Sequence, residues 1–343
     1  MSGFRFSVGP WNVHEGADAF GPDIRPSIAF ADKLAAFRKI GFDAVQFHDD
    51  DAVPEINGLS EQAIIARARD VRKMLDDNGL AAEFVAPRLW MDKRTADGGY
   101  TSNSPEDRSY AMWRSYRSID IAHELGCDKI VLWLAREGTL CAESKDTVVS
   151  IGRLIDAINK MLAYDPKIKI LIEPKPNEPI DRSFCGTMGH VMAVSALTDD
   201  PSRVGGLLES AHAVLAGLDP ANEMAFALAM GKLWGVHLND QNGMKYDQDK
   251  TFGAENLRQA FNQIRVLKDH GYGSGGEYIG LDVKAMRTQP VEISYRHLEN
   301  SLNVVRLLEE KVDRFDRDIQ KKYIEARDYE GLEMVVLQHL LKG

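Results

Sequence analysis

At 343 residues the chain exceeds an ordinary single domain, yet a parallel α/β barrel reaches this length with one core and an appendage. Hydrophobic residues make up 44% and charged residues 27%, mean hydropathy is −0.30, and no apolar run is long enough to cross a bilayer, which argues against a membrane protein. A net charge of −10 disfavours a nucleic-acid surface, and three cysteines without a Cys-x-x-Cys pair argue against a disulfide framework or a thiolate zinc site.

In chain order, Met1-Ser2-Gly3-Phe4-Arg5 lacks the basic and apolar regions of a signal peptide, so a cytoplasmic location is expected. Short β-branched runs then alternate with amphipathic stretches. The predicted strands are 5–8, 43–47, 82–85, 129–133, 168–172, 204–208, 233–236 and 278–281. Between the third and fourth, Ser104-Pro105-Glu106-Asp107 supplies a cap, a proline for the first helical position and acids for the first turn, and Leu125-Gly126 supplies the stop.

Eight strands alternating with helices fit a (β/α)₈ TIM barrel, although an open three-layer sheet would alternate in the same way. Polar chemistry decides between them: His48, Trp133, Glu173, Glu209, His237 and Asp282 each fall at or just past the carboxyl end of a predicted strand. Barrel enzymes gather their sites at that face, and the chain lacks the glycine-rich phosphate loop of a nucleotide-binding open sheet.

From about residue 291 the pattern is helical throughout, with Leu298, Leu302, Val305 and Leu308 on one stripe. The expected division is a catalytic barrel at 1–310 and a helical tail at 311–343. The tail ends in Leu332, Met334, Val335, Val336, Leu340 and Leu341, too apolar for a solvated extension. It is expected to pack on another surface, either a neighbouring subunit, which would make the protein a homo-oligomer, or its own barrel.

Two spacings carry chemistry. In extended chain, positions i and i+2 point the same way, so Asp247 and Asp249 can grip one hard cation and Glu173 and Lys175 can face one cavity. His48 has the intrinsic pKa to move a proton near neutral pH, and Asp51 can hold its second ring nitrogen; Asp49 and Asp50 are expected to be spectators or supports.

Phe47-His48-Asp49-Asp50-Asp51, Ile172 through Pro179 and Lys245-Tyr246-Asp247-Gln248-Asp249 give the chain a resemblance to xylose isomerases of the shorter class. Trp11, Phe20-Gly21, Trp133 with Arg136-Glu137-Gly138, and Asp282-Val283-Lys284 match as well, so the resemblance covers roughly residues 5 to 310. It implies two divalent cations per subunit, Mn²⁺, Mg²⁺ or Co²⁺. One would be held by Glu173, Glu209, Asp282 and the residue at 237, the other by Glu209, His212, Asp247 and Asp249. It further implies ring opening by His48 with Asp51, polarisation of the open-chain carbonyl by Lys175, a hydride shift between C2 and C1, and a dimer or tetramer. The water-excluding wall would be formed by Trp11, Trp90 and Trp133, and Phe20 matches the phenylalanine that the family contributes from the adjacent subunit.

The sequence departs from this pattern in places. His237 stands where the family has an aspartate ligand, as L-rhamnose isomerases do at that strand end, and a softer donor shifts the expected preference towards Mn²⁺, Co²⁺ or Zn²⁺. Trp90 replaces a phenylalanine, and Ala86 and Arg88 stand where a threonine and an asparagine are usual; these positions face the sugar. The expected activity is a metal-dependent aldose–ketose isomerase acting on D-xylose and also D-glucose. The competing readings are an isomerase of another aldose such as L-rhamnose or L-ribose, a ketose 3-epimerase, and a non-enzymatic sugar-binding barrel.

Overall fold

The computed structural model describes residues 3–342. Among these, eight parallel strands close into a barrel: β1 (Phe6–Val8), β2 (Ala44–His48), β3 (Ala81–Ala86), β4 (Lys129–Trp133), β5 (Lys169–Glu173), β6 (Val204–Glu209), β7 (Leu233–Leu238) and β8 (Ile279–Leu281). Each strand pairs with its neighbours in sequence, and β1 pairs with β8 to close the sheet. The TIM barrel read from the sequence is the fold observed.

The outer helices are α1 (Phe30–Ile40), α2 (Glu61–Asn78), α3 (Pro105–Leu125), α4 (Thr147–Tyr164), α5 (Met188–Ala196), α6 (Pro220–Ala229), α7 (Leu257–Asp269) and α8 (Arg296–Asp313). Their ends follow local chemistry. The Ser104 hydroxyl accepts from the Asp107 amide at 3.2 Å with Pro105 at the first position of α3, and Gly126 takes the left-handed conformation that ends it, φ 79°. Asp146 and Asp219 cap α4 and α6 in the same way.

Five of the eight observed strands run one or two residues further at their carboxyl ends than predicted, taking in His48, Ala86, Glu173, Glu209 and His237. Apolar patterning stops at these residues because they face a cavity. The backbone ladder continues through them, with Trp133 opposite Glu173 and Glu209 opposite His237.

Inside the barrel, Phe84, Ala86, Val131, Leu171 and Leu207 form a buried apolar layer, with Trp11 and Trp234 packed against it. The larger core lies between sheet and helices. Beyond α8, α9 (Arg317–Ala326) and α10 (Tyr329–Leu341) form the tail. Val335, Val336 and Leu340 pack back on the barrel's helical layer, whereas Ile324, Tyr329, Met334 and Leu341 are exposed. No helix among the described residues is long and apolar enough to cross a membrane.

Candidate active site

A cavity of about 700 Å³ opens at the carboxyl end of the strands. The apolar layer forms its floor through Phe84 and Val131, and the strand ends supply its chemistry.

On one wall, the final residue of β2, His48, is buried, with Nδ1 2.9 Å from Asp51 Oδ2; the His48 backbone N–H donates to the same oxygen at 3.0 Å. Burial pushes the Asp51 carboxyl up, but the imidazole beside it outweighs this and leaves it below its usual range. Asp49–Ala52 form a single helical turn after the strand, so Asp51 returns to His48 three residues on. Asp49 points inward to Arg114 on α3, at 2.6 and 2.8 Å, and accepts from the Arg88 backbone N–H at 3.1 Å. The support role expected of Asp49 is therefore a buried two-pronged ion pair.

Aromatic rings continue from this wall. Trp11 lies 4.2 Å from the His48 ring centroid, Trp90 lies 5.1 Å from it edge-on, and Trp90 meets Trp133 at 4.5 Å. Arg88 lines the cavity beside Trp90, its Nη1 3.4 Å from Asp50. Phe20 is wholly exposed and does not line this chain's cavity.

Opposite, Glu173 ends β5 and Lys175 follows at i+2; both are buried and both line the cavity. Lys175 Nζ donates to Asp247 at 2.8 Å, lies 3.3 Å from Glu178, and stands 5.3 Å from the centroid of the Trp133 ring. Burial lowers the Lys175 pKa, but the Asp247 carboxylate outweighs it and holds the group as an ammonium.

Glu209, at the end of β6, stands between two groups of donors: Glu173, Glu209 and His237, and Glu209, His212 and Asp247, with ligand atoms within 4.8 Å of one another in each. His237 Nδ1 faces Glu173 at 3.4 Å, Glu209 at 3.6 Å and Asp282 at 3.8 Å. His212 Nε2 lies 3.2 Å from both Glu209 and Asp247. Asp282 accepts from the Trp11 indole at 3.0 Å. Asp249 reaches the same cavity, with one oxygen against Lys284 and the other accepting from Asn239 at 3.0 Å.

The donor set fits a divalent cation. Among the described residues, both ring nitrogens of His237, Nδ1 of His212 and Oδ1 of Asp247 are buried without an aligned hydrogen-bond partner, a costly state that a cation would relieve. Burial and then Asp247 push the Asp249 carboxyl well up; burial and then Glu209 push up that of Asp282. Oxygen and imidazole donors without thiolate suit Mn²⁺, Co²⁺ or Mg²⁺.

Sequence reading assigned no role to Asn239, Lys284, Arg114 or Glu137. The Glu137 carboxylate accepts from the backbone N–H groups of Gly99, Tyr100 and Thr101 at 2.7 to 3.0 Å, tying that loop to the segment after β4. Asn239 was readable in principle, since it follows His237 by two residues on the same strand end.

Fold and site together define a barrel of the sugar isomerase and epimerase class. The chain belongs to the xylose isomerase-like TIM barrel family, which matches residues 34–299. It is similar to the xylose isomerase of Thermus thermophilus, 32% identical over 330 residues that cover 95% of this chain and 84% of that relative. Among solved structures, D-psicose 3-epimerase from Clostridium cellulolyticum H10 with D-tagatose superposes at TM-score 0.67 with 12% identity, covering 89% of this chain and 99% of that one. The 3-keto-D-glucoside 4-epimerase of E. coli superposes at 0.64 with 14% identity, over 89% and all of the respective chains. At these identities the two structures share the fold.

Proposed function

We propose that the protein interconverts an aldose and its ketose, with D-xylose and D-xylulose as the principal pair and D-glucose and D-fructose as a second. The observation that carries this reading is Lys175, a buried ammonium inside the cavity, 2.8 Å from Asp247 and beside the strand-end carboxylates. A 3-epimerase moves protons across C3 between two carboxylates and has no use for an ammonium at that place. Polarising an open-chain carbonyl does use one.

The remaining residues take their roles from position. His48, oriented by Asp51, moves a proton between the ring oxygen and the anomeric hydroxyl and so opens the sugar. Lys175 donates to the carbonyl oxygen at C1. Trp11, Trp90 and Trp133 cover the reacting carbons and exclude water, which protects a transfer of hydrogen between C2 and C1 from exchange. Two divalent ions, held by Glu173, Glu209, His237 and Asp282 and by Glu209, His212, Asp247 and Asp249, supply Lewis acidity to the sugar oxygens when bound. His237 favours Mn²⁺ or Co²⁺ at the first position.

Ala86 and Arg88 line the sugar side and keep L-rhamnose and L-ribose as further candidate substrates. A cytoplasmic homo-oligomer fits the exposed Phe20 and the exposed apolar residues of α9 and α10. The test is a panel of D-xylose, D-glucose, L-rhamnose, L-ribose and D-fructose with Mn²⁺, Co²⁺ or Mg²⁺, with products identified by nuclear magnetic resonance. D-Xylulose formed at the highest kcat/KM supports the reading. A ketose converted to its C3 epimer, with no aldose turned over, overturns it.

A further inference from the structure

Asn239 follows β7 and is buried at 1% exposure. Its side chain makes four hydrogen bonds to three segments of the site. Nδ2 donates to Glu209 Oε1 at 2.8 Å, to Asp249 Oδ1 at 3.0 Å and to the Asp282 backbone carbonyl at 2.9 Å. Oδ1 accepts from the Ala211 backbone N–H at 2.7 Å, on the short helix Ser210–Leu215 that carries His212. Two backbone groups set the amide orientation: the Ala211 N–H can only donate, to Oδ1, and the Asp282 carbonyl can only accept, from Nδ2.

An amide nitrogen carries two hydrogens, and here it faces three oxygens. One of these belongs to Glu209, the carboxylate common to both groups of donors; one belongs to Asp249, assigned to the second ion; and one belongs to the backbone of Asp282, assigned to the first. Asn239 is not itself a ligand, since its only acceptor atom is engaged by Ala211.

We propose that Asn239 is a positioning residue that fixes Glu209 as the carboxylate shared by two ion positions and thereby couples the two. The inference rests on the two-ion reading given above. Holding Oε1 by a hydrogen bond fixes the side-chain rotation, so that Oε1 stays on the His212 and Asp247 side and Oε2 on the His237 side. Without the amide, Glu209 is free to turn both oxygens to one ion, and Asp249 loses the contact opposing Lys284. The second ion should then be weakened far more than the first.

The test is titration of the ion-free protein with Mn²⁺, followed by calorimetry and by electron paramagnetic resonance, on wild type, Asn239→Ala and Asn239→Asp. Wild type should bind two ions. Asn239→Ala should bind the first within about threefold of wild-type affinity and the second about 10- to 100-fold more weakly. Asn239→Asp keeps the shape and the acceptor for Ala211 but loses the donors, so it should show the same selective loss, and it decides the matter should the alanine variant fail to fold. Equal weakening of both ions, or retention of both affinities within about threefold in a folded variant, overturns the proposal. A wild type that binds fewer than two ions overturns the two-ion reading, and this inference with it.

Discussion

Arg114 and Asp49 form a two-pronged ion pair beneath the His48 turn, Nε to Oδ2 at 2.6 Å and Nη2 to Oδ1 at 2.8 Å, with both side chains shielded from solvent. Removing one partner strands a buried charge. Arg114→Met is expected to destabilise the protein by about 3–5 kcal/mol, read as a fall in urea midpoint at unchanged slope. Replacing both partners with apolar residues should cost much less. Equal losses in the single and double variants would show that the pair is not the cause.

Lys175→Met removes the ammonium and leaves the strand-end donors in place. Mn²⁺ should still raise the melting temperature, while kcat for aldose isomerisation falls by about 10²- to 10³-fold, the scale for losing one electrostatic stabiliser. A variant retaining more than a tenth of wild-type kcat would remove Lys175 from the chemistry.

Ring opening and hydrogen transfer can be separated by substrate. His48→Asn should lose about 10²- to 10⁴-fold on D-xylose, the range for a general acid–base group, and less than about tenfold on D-glyceraldehyde, which cannot form a ring. Equal losses on both sugars would place His48 in the hydrogen transfer instead.

His237 is the departure within the donor set proposed for the first ion, and its two ring nitrogens are among the buried atoms without an aligned partner. Chelation should abolish turnover, with Mn²⁺ or Co²⁺ restoring it better than Mg²⁺. In His237→Asp the ratio of Mg²⁺- to Co²⁺-supported rates should rise on the order of tenfold, because a carboxylate suits the harder ion. An unchanged ratio would mean that residue 237 does not touch the ion.

Burial pushes the His297 imidazole down to about 4 from the 6.5 of an exposed histidine; its Nε2 faces the Asn12 carbonyl oxygen at 2.8 Å. The native state therefore prefers the neutral ring. Its contribution is complete above about pH 6.5 and is lost as pH falls towards 4, where the unfolded chain takes up the proton first. At about 1.4 kcal/mol for each pKa unit, the loss is on the order of 3 kcal/mol. Denaturant midpoints between pH 7 and 4 should fall more steeply in wild type than in His297→Gln, and parallel slopes would exclude this group.

The barrel was legible because apolar runs and helix signals alternate eight times, and the site because its residues lie where those runs stop. The same feature misplaced the strand ends: Glu209 and His237 look like loop residues by polarity, yet they are paired across adjacent strands. The i, i+2 alternation set Glu173 and Lys175 towards one cavity, and both line it. Asp247 and Asp249 share that spacing, but Asp247 turns to His212 and Lys175, and Asp249 to Asn239 and Lys284, partners supplied by other strand ends. Arg114 could not be found by pattern, since an arginine in mid-helix reads as solvated until α3 is laid over the His48 turn.

The apolar layer of Phe84, Ala86, Val131, Leu171 and Leu207 also governs traffic. With the barrel closed beneath the carboxylates, any ion and any substrate must enter the cavity by the same mouth on the loop side. On the two-ion reading proposed above, a polyol seated in that mouth should slow the release of Mn²⁺ to a chelator.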